Sequence, residues 1–144
     1  MNTKDVKVTL KSIIDNISDT GLPSDDRETS ESTAKGTLSV GERGALVSFT
    51  EDSEGGEIKT KIEILSGSVH VCRHGAIESD LRFSAGIAHS SIYGAVPYTF
   101  DMSIFTRRIR GSITSEGGRI DIFYDMEIGG AKKSVKMTLS CEVL

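Results

Sequence analysis

Apolar and polar residues alternate with period two along most of the chain, the spacing of strands with one buried face. Val6, Val8 and Leu10 share one face, and Ile13, Ile14 and Ile17 follow out of phase, which predicts a bulge or a strand end. The device repeats in Ala45, Val47 and Phe49, in Ile58, Thr60, Ile62 and Ile64, in Val69 and Val71, and in Ile77, Ser79, Leu81 and Phe83. The second half continues it: Tyr98, Phe100, Met102 and Ile104, then Ile109, Gly111 and Ile113, then Ile120, Ile122, Tyr124, Met126 and Ile128. Val135, Met137, Leu139, Cys141 and Val143 form the last run. Turn signals separate the runs: Gly41 to Gly44, Glu54-Gly55-Gly56, Ser66-Gly67, Gly75, Gly86, Gly94, Glu116-Gly117-Gly118 and Gly129-Gly130. They recur about every ten residues, which suits antiparallel hairpins. The intervals are too short for parallel crossovers.

Many short strands in one small domain must protect their edges by closing into a barrel or stacking as a sandwich. One clean apolar face per strand favours a sheet curled around a single interior. The expectation is therefore an all-β fold: one closed or nearly closed antiparallel barrel of about 8–10 strands, with residues 1–144 as a single domain. Residues 18–36, SDTGLPSDDRETSESTAKG, break the pattern with five acidic and two basic side chains and only Leu22 of appreciable apolar size. Composition reads this polar acidic segment as a mobile loop.

Composition agrees with strands. Among 144 residues, β-branched isoleucine, valine and threonine outnumber leucine plus alanine more than twofold, and only two prolines interrupt the backbone donors. The first ten residues, MNTKDVKVTL, alternate charged and apolar side chains without the continuous apolar run of a signal peptide or membrane span. A cytoplasmic protein with no membrane association is expected, its two cysteines, Cys72 and Cys141, reduced. The net charge of −4 and the lack of tryptophan argue against a nucleic-acid partner. Arg107, Arg108 and Arg110, with Lys132, Lys133 and Lys136, are accordingly read as solvated turn and strand-face charges. GGAKKS lacks the spacing and the following helix of a phosphate loop.

Candidate chemistry is sparse. His70, Cys72 and His74 in HVCRH share one strand face, and neighbouring members could share a metal if another strand supplied further ligands. His70 and His74 lie about 13 Å apart along a strand. Their face is opposite to Val69 and Val71, so they are expected to be exposed polar residues with no metal. His89-Ser90-Ser91 is a string without catalytic geometry, and no G-x-S-x-G elbow occurs. Enzymatic activity and cofactors are not expected. Arg73 is more informative, because it continues the inward phase of Val69 and Val71 just before Gly75. An inward guanidinium needs a carboxylate or access to water at a barrel mouth. Glu51, in phase with Val47 and Phe49, is the matching carboxylate, and an Arg73–Glu51 pair is expected.

VSFTED (47–52), IKT (58–60), SVHVCRHGAI (68–77), RFSAG (82–86) and GRIDIFYDMEIG (118–129), with DVKVTLKSIID (5–15), make the chain similar to the YwiB-like family of bacterial proteins. The most specific parts are Arg73-x-Gly75, Phe83 with Gly86, and Tyr124-Asp125-Met126. The resemblance runs nearly end to end and implies a lipocalin-like or calycin-like β-barrel, with no established activity. It also implies that Arg27 to Ala34 form a polar, exposed strand ending at Gly36. His70, Cys72 and His74 stand where that family tends to have apolar or small residues. The family's aromatic-glycine turn is altered around Tyr93 to Thr99, with Tyr98 at the glycine position.

The sequence thus leads to a non-enzymatic barrel that holds a small, partly apolar or acidic ligand in its interior. In this reading Arg73 anchors an acidic group, and Glu51, Thr60, Phe83 and Tyr124 line the space. The alternative is a homodimeric interaction module whose barrel is filled by its own side chains.

Overall fold

The computed structural model describes residues 2–17, 23–95 and 98–144, and within them the alternating runs become ten strands with no helix. These are β1 (Asn2–Ile17), β2 (Pro23–Gly41), β3 (Gly44–Ser53), β4 (Gly56–Leu65) and β5 (Ser68–Gly75). The second half forms β6 (Glu78–Ser84), β7 (Ala88–Ala95), β8 (Tyr98–Thr114), β9 (Gly117–Ile128) and β10 (Ala131–Val143). Each strand pairs antiparallel with its chain neighbours, and β1 also pairs with β10, so the sheet closes into a barrel. Closure satisfies the first and last strands, which an open meander would leave as edges.

The period-two faces fall as the pleat requires. Val6, Val8, Val47, Ile62, Val71, Ile104, Ile120, Ile122 and Val135 are buried in one interior cluster, while the intervening charged residues face out. Two bulges adjust this phase. One slips the β1–β2 register between Asp15 and Ile17, so Ile17 falls out of step, whereas Ile14 keeps the phase of Val6 and Val8 and packs against the core. The other lies between Thr106 and Arg108 of β8. It moves the inward phase from Met102, Ile104 and Thr106 to Ile109 and Ile113, with Arg107 as the extra residue. Outside the barrel, Arg107 donates to Ser134 Oγ at 2.7 Å and pairs with Asp125 at 3.4 Å.

The acidic segment needs correction where composition suggested a loop: from Pro23 onward it is strand. The polar strand implied by the family resemblance is present, but it does not end at Gly36: it runs on to Gly41. Its backbone satisfies the outer donors and acceptors of β1 from Asn2 to Ile17. Its side chains are polar because β3 joins β2 only from Gly36 to Gly41, so most of β2 encloses no core. Gly36 marks the junction, since a Cβ there would lie 2.3 Å from the Ser48 carbonyl oxygen. Ser18 to Leu22, Val96 and Pro97, and the side chains of Tyr98 and Phe100 lie outside the described residues. The altered turn near Tyr93 to Thr99 and the inward phase of Tyr98 and Phe100 fall there.

The wall is thin between β6 and β7. These strands pair only at Glu78–Gly94 and Ser79–Tyr93, and splay apart toward their turn. A cleft of about 500 Å³ opens there, lined by Asp80, Arg82, His89, Ser90 and Ser91.

Candidate functional site

Inside the barrel, Phe49, Thr60, Arg73 and Ser79 form one cross-strand row on β3, β4, β5 and β6. Residues directly opposite one another sit about 4.5–5.5 Å apart at Cβ. Three consecutive members of the row carry a shielded polar atom with no hydrogen-bond partner among the described residues: Thr60 Oγ1, Arg73 Nε and Ser79 Oγ. Thr60 is only 1% exposed, whereas Arg73 as a whole is half-buried. Its guanidinium thus starts among the core side chains near one end of the strands. Ser91 on β7 and Thr106 on β8 each add a shielded hydroxyl without a partner among the described residues. A buried hydroxyl or N–H left unpaired costs about 1–3 kcal/mol, more for a charged group. Among the described residues, five such atoms are shielded in this way.

Phe83 and Tyr124 complete the apolar side. Phe83 is fully buried, and its ring centroid is 4.7 Å from that of Tyr124, tilted by 53°. This contact links β6 to β9 across the interior. Burial pushes the Tyr124 phenol up to about 12, against the opposing influence of the nearby Arg73 charge. Tyr124 therefore stays a neutral phenol at physiological pH.

Four of the residues singled out in the sequence, Thr60, Arg73, Phe83 and Tyr124, thus face one interior. Glu51 is half-buried but lies one level nearer the strand ends, opposite Ile58, which in turn opposes Gly75. The expected Arg73–Glu51 pair is not formed: among the described residues no carboxylate reaches ion-pair distance of Arg73. The register explains this. Arg73 faces Thr60 and Ser79, and an entire strand separates it from β3. Sequence reasoning had placed Ser79 in the inward phase without assigning it a role. It missed Ser91 and Thr106; for Thr106 the signal is a small polar residue continuing the apolar face of Met102 and Ile104.

Gly75 ends β5 two residues beyond Arg73 with φ of 117°, and a Cβ there would lie 2.0 Å from the Glu57 carbonyl oxygen. The turn is clipped by Glu78, which accepts from the Gly75 N–H at 3.2 Å and contacts His74 Nδ1 at 2.8 Å. Gly75→Ala is expected to lower stability by about 1–3 kcal/mol, read by urea denaturation. An unchanged midpoint would mean that the turn relaxes freely.

On the outer wall, His70 and Cys72 of β5 meet Asp80 of β6, the cross-strand partner of Cys72. His70 Nε2 lies 2.5 Å from Asp80 Oδ1 and 3.3 Å from Cys72 Sγ. His74 is separate, paired with Glu78. The expectation of plain exposed polar residues holds for His74, but His70 keeps only 26% of its side chain exposed. Burial, then the charges of Asp80 and Glu63, push the Cys72 thiol up against the opposing Arg82 and Lys61. Cys141 faces the core, where burial raises its thiol to about 11. Both cysteines are free, and their opposite faces forbid a disulfide within the chain. The basic residues of β8 and β10 also lie on the outer wall, with Arg108 4.6 Å and Lys136 5.6 Å from the centroid of Phe123.

Known proteins place this arrangement in a family. The chain is 28% identical over 117 residues to the uncharacterized beta-barrel protein YwiB of Bacillus subtilis strain 168, covering 81% of this chain and 82% of that protein. The crystal structure of the ywiB protein from Bacillus subtilis superposes with a TM-score of 0.83 at 27% identity, covering 99% of this chain and 93% of the other. The family described as Domain of unknown function (DUF1934) matches residues 8–139. With ten strands closing in the same barrel architecture, the chain belongs to the DUF1934 family of uncharacterised β-barrel proteins.

Proposed function

We propose that the barrel is a non-enzymatic receptor for a small organic anion with a compact apolar body, held inside with its acidic group on Arg73. One observation carries this reading: Thr60 Oγ1, Arg73 Nε and Ser79 Oγ stand in consecutive cross-strand positions, shielded and without partners among the described residues. A carboxylate laid against the guanidinium edge accepts from Nε and a neighbouring Nη, the side-on fork that arginine presents. Thr60 and Ser79 donate their hydroxyl protons to the same acceptor or to waters that bridge to it. Phe83 and the neutral Tyr124 supply the apolar wall. Leu38, Ile62, Ile104, Ile120 and Ile122 are buried in the same interior, which limits the ligand to a small body. The splayed β6–β7 wall, with Ser91 on the cleft, supports lateral entry.

Benzoate and octanoate are suitable probes, titrated into the protein and followed by amide chemical shifts. The reading expects saturable shifts confined to β4, β5, β6 and β9. Shifts spread over the outer lysines and arginines, without saturation, would refute it. A second reading, a homodimer joined along β2, is favoured by the one-sided pairing of that strand from Pro23 to Lys35. A solution mass of twice 15.5 kDa would support it.

A further inference from the structure

The outer wall carries an arrangement independent of the interior: His70, Cys72 and Asp80 each offer one ligand atom, all three within 4.8 Å of one another. We infer that these three side chains form a zinc site with three protein ligands and one open position. The donor set is a thiol sulfur, an imidazole nitrogen and a carboxylate oxygen, which together suit a borderline-soft divalent ion rather than magnesium or calcium. The geometry is close to what such an ion needs. Tetrahedral zinc with bonds of about 2.0 Å to N and O and about 2.3 Å to S separates its donors by roughly 3.3–3.5 Å. Cys72 Sγ already stands 3.3 Å from His70 Nε2, and the other imidazole nitrogen is farther away at 4.0 Å. Nε2 is therefore the ligating atom. The 2.5 Å contact of His70 Nε2 with Asp80 Oδ1 needs to open by less than an ångström.

The sheet supplies the site with rigidity. His70 and Cys72 are two residues apart on β5 and point the same way, while Asp80 is fixed opposite Cys72 by the β5–β6 ladder. Glu63, the partner of His70 on β4, adds a second negative charge that acts on Cys72. Metal binding releases the thiol proton to solvent, and the resulting thiolate and the Asp80 carboxylate balance the two charges of the ion. Asp80 also lines the cleft between β6 and β7, so the fourth position opens where water or a small molecule has access.

The test uses the full chain, freed of metal by chelator dialysis and titrated calorimetrically with zinc chloride. One equivalent is expected to bind, and cobalt(II) at the same site is expected to give the near-ultraviolet charge-transfer band of a cobalt thiolate. Cys72→Ala should abolish that band and weaken zinc binding on the order of a hundredfold. Asp80→Asn, a change at an exposed side chain, should weaken zinc binding while leaving circular dichroism unchanged. His74→Ala should leave zinc affinity as in the wild type, because His74 belongs to the Glu78 clip. The inference is overturned if zinc fails to bind, or if Cys72→Ala and Asp80→Asn bind it as the wild type does, which would mean an adventitious ion only.

Discussion

Phe83→Ala is expected to cost about 3–5 kcal/mol of stability, the range for truncating a fully buried phenylalanine. The effect is large because Phe83 has no exposure and its ring rests on Tyr124 across the interior. Truncation leaves a void between β6 and β9, beside a β6–β7 ladder that already lacks most of its pairing. The wall cannot collapse onto the space without breaking the remaining Glu78–Gly94 and Ser79–Tyr93 bridges. Thermal unfolding should show a midpoint lowered by about 10 °C or more. A shift of only a degree or two would mean that the aromatic contact does not hold the barrel closed. Phe83→Leu, which keeps most of the volume, should recover the greater part of the loss.

Arg73→Met should separate binding from stability. The affinity for benzoate or octanoate is expected to fall on the order of a hundredfold, as removal of a charged partner from a shielded pair costs about 2–5 kcal/mol. The ligand-free protein should nevertheless gain roughly 1 kcal/mol or more, because the variant no longer shields an unpaired guanidinium Nε. The sign of the stability change is the discriminating feature. A residue retained for structural pairing would destabilise the free protein when replaced, whereas a residue held ready for a ligand stabilises it. Arg73→Lys should retain the charge and lose the side-on fork, giving an affinity between the two.

The sequence made the inward faces legible because the pleat has period two and the interior admits few charges. Thr60, Arg73, Phe83 and Tyr124 face the core as their phase dictates. Period alone does not give register, and the expected Arg73–Glu51 pair failed there. Glu51 shares the inward phase, but the ladder sets it opposite Ile58 rather than near Arg73. Asp80 meets Cys72 through the β5–β6 ladder, a relation eight residues apart in the chain that no local pattern announces. The bulge at Arg107 shows only as a change of phase between Ile104 and Ile109. The strand β2 was hidden because composition reports the need for burial, and a strand that pairs with β1 alone over most of its length buries little.

The most direct measurement follows the Arg73 Nε–H resonance in a nitrogen–proton correlation spectrum while benzoate is added. A resolved signal is expected that exchanges slowly with water, unlike that of the exposed Arg110, and that moves saturably as the carboxylate binds. A signal that exchanges as fast as that of Arg110 and stays still throughout the titration would contradict it.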